Sequence, residues 1–123
     1  MKTDCAQICA VAGSYIEALH RGDVDMLYRL FLPLAYLYGC PEGKLQAMPI
    51  ADYLDLVANR QSPKAQGYPC TGNIVSIDMA GPYSSVVKVN VAVPPKEFVD
   101  LLSFVRVEGH WRIISKIYHA SAS

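Results

Sequence analysis

Along the first 60 residues the apolar positions repeat with a helical period. Ile8, Ala12, Tyr15, Ile16 and Leu19 fall on one face, with Asp4 placed to cap the helix and Gln7 three residues later, as in a capping box. Gly22 stops this helix and Asp23 is placed to cap the next. Met26, Leu27, Leu30 and Phe31 keep the period until Pro33. Leu34 to Gly39 is aromatic and aliphatic and reads as a strand. It runs into the turn Cys40-Pro41-Glu42-Gly43, and Lys44 to Met48 can pair back onto it. Pro49 suits the first turn of a third helix, whose Ile50, Tyr53, Leu54 and Val57 share a face. Gln61 to Thr71, with two prolines and a glycine, reads as a loop.

From Gly72 onward the period drops to two. Asn73 to Ala80, Tyr83 to Val93, Lys96 to Val107 and His110 to His119 form four strands, separated by Gly81-Pro82, Pro94-Pro95 and Glu108-Gly109. Links this short force antiparallel neighbours. The order helix, helix, strand pair, helix, four strands predicts an α+β fold in a single domain spanning 1–123.

The strand 96–107 is apolar on both sides. Val99, Leu101, Ser103, Val105 and Val107 form one face; Phe98, Asp100, Leu102, Phe104 and Arg106 form the other. A sheet layered on helices normally shows water a polar second face. Three helices cannot cover both faces of a long sheet, so a homodimer through the sheet is expected, with coverage by the C-terminal tail as the other solution.

Composition narrows the function classes. The 123 residues are 52% apolar and 18% charged, and eleven basic side chains balance eleven acidic ones. That composition argues against disorder and removes the basic surplus that sequence-independent binding to nucleic acid requires. No apolar run approaches the length of roughly 18 residues needed to span a bilayer. Asp4 stands where a signal peptide needs its apolar stretch, so a cytoplasmic location is expected. Cys5, Cys9, Cys40 and Cys70 lack the paired spacing of a zinc site and are expected as buried or half-buried free thiols. Neither a metal nor a cofactor is expected. The apolar surplus then belongs in an internal pocket or an oligomer interface.

Two groups of strings carry a family resemblance. Tyr15-Ile16-Glu17-Ala18-Leu19-His20-Arg21-Gly22-Asp23, followed by Leu30-Phe31, resembles the opening of the NTF2-like superfamily. Phe98-Val99-Asp100-Leu101-Leu102-Ser103 and Gly109-His110-Trp111-Arg112-Ile113-Ile114-Ser115-Lys116-Ile117-Tyr118-His119 are similar to the ending of its lumazine-binding-like or SnoaL-like branch. The resemblance extends from about Ile8 to His119. It implies an NTF2-like cone: three helices from the N-terminal half packed on a strongly curved antiparallel β-sheet, open at one mouth, holding a small, largely apolar molecule, and often dimeric through the sheet. Members include isomerases, cyclases, dehydratases and non-enzymatic proteins, so the fold leaves the function open.

The ketosteroid isomerases of that superfamily offer a residue-level test. Their mechanism needs a carboxylate base, plus a tyrosine and a protonated Asp that donate to an oxyanion. The resemblance places Tyr15 at the tyrosine, Gly39 at the base and Ser103 at the second acid. With one group of three retained, that chemistry is not expected. Leu32 also stands where the closer branch often carries a histidine, and it can neither ionise nor ligate.

The ligand-binding candidates in such a cone are Tyr15, Leu19, Tyr36, Tyr53, Ser103, Lys116 and Tyr118. Each tyrosine is either a core residue with its hydroxyl on a backbone carbonyl or a donor at the pocket wall. Tyr36 and Tyr38 share a strand face, so both line the cavity or both face out. A two-residue turn at Glu108-Gly109 pairs Val107 with His110 and puts Ser103, Ile114, Lys116 and Tyr118 on one face. Lys116 is then either a buried cation facing an acidic ligand or a lysine extending its ammonium to water. Asp100 is either a pocket acid re-aimed by a bulge or a polar contact at the dimer surface, and His119 is expected near solvent. Three functions follow: a binder of a small apolar molecule without catalysis, an isomerase, cyclase or dehydratase moving protons through Asp100, His119 or Lys116, or an adaptor using the exposed sheet face.

Overall fold

The structure, a computed structural model, describes residues 2–122. Helix α1 (Lys2–Arg21) begins ahead of Asp4, whose carboxylate accepts a hydrogen bond from Trp111 Nε1 at 3.1 Å. The expected cap is therefore a tertiary tie between the first helical turn and the last strand. Gly22, at φ +68°, supplies the left-handed residue that ends α1. Asp23 caps α2 (Val24–Leu30) by accepting from the Met26 N–H at 3.0 Å.

Strand β1 (Phe31–Gly39) starts three residues earlier than the pattern indicates. Leu32 precedes Pro33, and a pre-proline residue avoids helical backbone, so the helix has no way to continue. A 3-10 turn over Pro41–Gly43 leads into β2 (Gln46–Pro49), which folds back antiparallel onto β1. Helix α3 (Ile50–Asn59) follows, and then a loop with no regular element to residue 71. The remaining strands are β3 (Gly72–Met79), β4 (Ser84–Val93), β5 (Lys96–Val107) and β6 (His110–Ala122).

Among the described residues the sheet has six strands in the order β2-β1-β6-β5-β4-β3. Every neighbouring pair is antiparallel except β1–β6, which is parallel. The helices pack on one face of it, giving the α+β fold expected of the sequence. Tyr15, Leu27, Phe31, Val87, Val89, Leu102, Phe104 and Ile113 are buried between the layers. Burial of each large apolar side chain contributes about 1.5–3 kcal/mol. Tyr38, Val86, Leu101, Val107 and Ile117 stand exposed among the described residues, and β5 and β6 supply the last three.

The β5–β6 ladder carries the detail that decides the site. Val107 pairs with His110 as the turn predicts, and the pairing continues to Phe104 with Ile113. The next pair is Ser103 with Ser115, which leaves Ile114 as an extra residue in β6. A one-residue bulge exchanges the two faces of everything beyond it. Lys116 therefore sits opposite Leu102, and Tyr118 opposite Asp100, rather than opposite Leu101 and Val99. Both side chains share the inward face with Asp100, Leu102 and Phe104.

The four cysteines are free, but Cys9, Cys40 and Cys70 are exposed and Cys5 is only half-buried. The expectation of buried or half-buried thiols holds for Cys5 and fails for the other three, because Cys9 lies off the core face of α1, while Cys40 and Cys70 occupy connections. Among the described residues no helix is long and apolar enough to cross a membrane.

Candidate functional site

A cavity of about 770 Å3 opens between α3, the β1–β2 hairpin and the ends of β4, β5 and β6. Its walls are mainly apolar. Leu19 comes from α1, Leu37 from β1, Met48 from β2, Leu56 from α3, Val91 and Val93 from β4, and Phe98 from β5. Polar groups enter at Gln46, Tyr53, Arg60, Lys96, Asp100, Lys116 and Tyr118. This combination of an apolar concavity with a few convergent polar groups is the usual form of a small-molecule site.

The deep end of the cavity holds a connected cluster. Tyr15, fully buried on α1, donates its hydroxyl to Asp100 Oδ2 at 2.5 Å. The Lys116 ammonium lies 3.5 Å from the same carboxylate oxygen and donates to the Tyr53 hydroxyl oxygen at 3.3 Å. Lys116 Nζ also sits over the rings of Tyr53, at 4.6 Å from the centroid, and Tyr15, at 5.4 Å. Phe98 and Tyr118 complete the aromatic surround at 6.0 and 5.8 Å. Such ring faces attract a cation, and they help replace the water that Lys116 has lost.

Charge states follow from this geometry. Burial, and then the neighbouring Asp100 carboxylate, hold the Tyr15 hydroxyl well above the usual tyrosine range. Tyr15 therefore stays a donor. Burial pulls the Lys116 ammonium toward losing its proton, but Tyr53 and Asp100 outweigh that and raise its pKa above the ordinary lysine value. Lys116 is thus an ammonium with three donors, of which Tyr53 and Asp100 engage two. Because Tyr53 accepts from Lys116, its own proton is left to point elsewhere. Asp100 Oδ1, buried with its residue at 0% exposure, has no hydrogen-bond partner among the described residues. It is an acceptor in reserve.

The expected site residues divide. Leu19, Tyr53, Lys116 and Tyr118 line the cavity, and Tyr15 stands behind its wall, joined through Asp100. Tyr36 does not line it: it stacks on Tyr38 with centroids 6.0 Å apart, and both face out because Leu37 takes the inward position. Ser103 is likewise displaced to the outer face, where it pairs with Ser115. Asp100, not Ser103, stands beside Tyr15, but it accepts from Tyr15 and pairs with Lys116, so it is not the oxyanion-donating acid of the isomerase set. Asp100 reaches that place without a bulge of its own, since the extra residue is in β6. At Gly39, the position of the missing base, a Cβ would collide with the Tyr118 ring. Tyr118 in turn donates to Gln46 Oε1 at 3.0 Å and ties β6 to β2 at the mouth. His119 is exposed, and His20 meets the Tyr68 carbonyl at 2.8 Å away from the cavity. Among the described residues no group of three His, Cys, Asp or Glu side chains is placed to hold a metal.

The charged lining residues missed by sequence reasoning are Arg60 and Lys96. They sit just past α3 and at the start of β5, where a charged side chain gives no pattern to distinguish it from a solvated one.

Comparison with known proteins agrees with this architecture. The chain is 30% identical over 115 residues to the aldolase FrzH of Cladobotryum sp, across 92% of this chain and 88% of that protein. An NTF2-like protein of unknown function from Shewanella baltica OS155 superimposes with a TM-score of 0.87 at 26% identity, over 98% of this chain and 96% of the other. A second NTF2-like protein of unknown function, from Silicibacter pomeroyi DSS-3, gives 0.80 at 24% identity over 98% of each chain. A family model described as "Putative lumazine-binding" matches residues 3–119. With the helices layered on a six-stranded sheet, the buried cluster and this match across nearly its whole length, the chain belongs to the lumazine-binding-like family of the NTF2-like superfamily.

Proposed function

We propose that the cone binds a small, largely apolar ketone or aldehyde and moves its α-proton, the step that begins an aldol addition or a double-bond isomerisation. The observation that carries this reading is the Asp100–Lys116–Tyr53 arrangement at the deep end of an apolar cavity. A carbonyl oxygen seated there meets the spare Lys116 N–H and the outward Tyr53 proton, which stabilise negative charge as it develops. Asp100 Oδ1, the unused acceptor, takes the α-proton of a ligand seated against it. The enolate carbon then either regains a proton elsewhere or forms a carbon–carbon bond to a second carbonyl, whose oxygen receives the proton from Asp100. The relative named as an aldolase supports the second course.

Lys116 acts here as a charged donor. An amine nucleophile would need the neutral form, which its neighbours oppose. The test is α-hydrogen exchange of 2-acetylnaphthalene in D2O, followed by NMR. Exchange above the buffer rate that Asp100→Asn abolishes supports the reading, and exchange indistinguishable from buffer overturns it. Borohydride added with the same ketone should leave Lys116 unlabelled; a reduced adduct on Lys116 would replace the acid–base course by a covalent one.

The same reading includes a second copy of the chain on the outer sheet face. Ile117, Leu101 and Tyr38 are 51%, 38% and 37% exposed and lie side by side across β6, β5 and β1. An apolar stripe of this kind favours a covered surface. Light scattering should give a dimer that Leu101→Glu converts to a monomer; a monomer at all concentrations would end the proposal. A cytoplasmic location completes it, since a reducing compartment suits four free thiols.

A further inference from the structure

The cavity carries an unbalanced charge. Among its lining residues Arg60, Lys96 and Lys116 are cationic and Asp100 alone is acidic. Asp100 is spent on Lys116, at 3.5 Å, which leaves Arg60 and Lys96 without a balancing carboxylate in the lining. Arg60 is the more informative of the two. It follows α3 directly, is half-buried, and its guanidinium makes no hydrogen bond or ion pair with any described residue. A guanidinium has five donors in a planar fork whose natural partner is a carboxylate or phosphate. Holding it half-buried beside apolar Leu56 without such a partner costs solvation that a ligand's anion would repay. Arg60 is also close enough for its charge to act on the buried Tyr15 hydroxyl, so its field extends to the deep cluster. Lys96, exposed at the start of β5, adds positive potential to the lining and draws anions toward it.

From this placement we infer that the substrate is an acid: an apolar molecule whose carbonyl reaches Lys116 and Tyr53 while a carboxylate elsewhere on it is held by Arg60. This rests on the proposed carbonyl-binding role of the cone and adds the charge of the ligand and the residue that selects it. Arg60 is a specificity residue in this scheme and takes no part in moving the proton.

The test uses a matched pair, 4-(2-naphthyl)-4-oxobutanoate and its methyl ester, which differ in charge and one methyl group. Isothermal titration of the full chain should show the acid binding roughly tenfold tighter than the ester, the size expected for one charge-assisted contact. Arg60→Gln should bring the acid to within about twofold of the ester, and Arg60→Glu should make the ester the better ligand, while the ester's own Kd stays constant. Equal affinities in the unaltered protein would overturn the inference and leave the carbonyl-binding reading standing. Retention of the acid's advantage in Arg60→Gln would do the same, unless Lys96→Gln removes it, which would assign the carboxylate to Lys96 and refute the role of Arg60. Absence of binding by both compounds would remove the cavity-binding reading and the inference together. Circular dichroism of each variant guards against loss of fold.

Discussion

Replacing Asp100 by Asn removes one charge and little else. The amide oxygen can still accept from Tyr15, so the change isolates the pairing with Lys116. At 3.5 Å and an effective dielectric of about 20, two unit charges attract by about 5 kcal/mol. Removing one partner of a buried pair leaves the other desolvated, and the usual cost is about 3–5 kcal/mol. Lys116 is 4% exposed and cannot turn to water without leaving its aromatic surround. For a domain of this size that cost corresponds to a fall in Tm of about 12–20 °C. Urea denaturation followed by circular dichroism gives the free energy directly.

The pH dependence supplies an independent sign. In the unaltered protein Lys116 and Tyr15 both have folded-state pKa values above their ordinary ones. Their contribution is therefore complete below about pH 10 and is lost as pH rises through the folded values. In D100N the counterion is gone and only Tyr53 still opposes burial, so the Lys116 pKa moves down from its value in the unaltered protein. The destabilisation is then largest at low pH, where Lys116 is charged in both proteins, and is relieved as pH rises through the lowered folded value. The gap between the two proteins should narrow as pH rises. The double variant D100N/K116M should recover most of the loss, because an apolar side chain of similar length needs no counterion. A loss below about 1 kcal/mol in D100N, or no recovery in the double variant, would refute the buried-pair argument.

Other outcomes follow from single contacts. Gly39→Ala should destabilise by about 1–3 kcal/mol, the range for forcing atoms into a packed site, and Tyr118→Ala in the same chain should relieve it; denaturation of the single and double variants checks both. Trp111→Phe removes the hydrogen bond to Asp4 and should cost about 1 kcal/mol, read as a lower midpoint in the same assay. Tyr36→Ala and Ser103→Ala should leave the affinity for the naphthyl keto acid within about twofold, since neither side chain reaches the cavity; a tenfold loss, about 1.4 kcal/mol, would contradict the assigned faces.

Local rules made much of this protein legible in its residues. The apolar spacing of Ile8, Ala12, Tyr15 and Leu19 defines the buried face of α1 however the rest folds. Asp23 caps α2 through an atom three residues away, and the period-two alternation after Gly72 marks the strands because side chains alternate on any extended backbone. The two groups of strings around Gly22-Asp23 and Trp111 pointed to the superfamily. Which face of the last hairpin turns inward was a different matter. Both faces of β5 are mainly apolar, one broken by Ser103 and the other by Asp100 and Arg106, so alternation alone admits either assignment. The extra residue at Ile114 exchanges the faces beyond it, and nothing in the string Ile113-Ile114-Ser115 marks a bulge. Only packing of the whole sheet against the helices decides it, by burying Leu102, Phe104 and Ile113 together. That choice moves Ser103 out, carries Asp100 and Lys116 in, and sets them against Tyr15 and Tyr53, which lie 85 and 63 residues away along the chain. Contacts between residues so far apart depend on register, and register belongs to the tertiary structure.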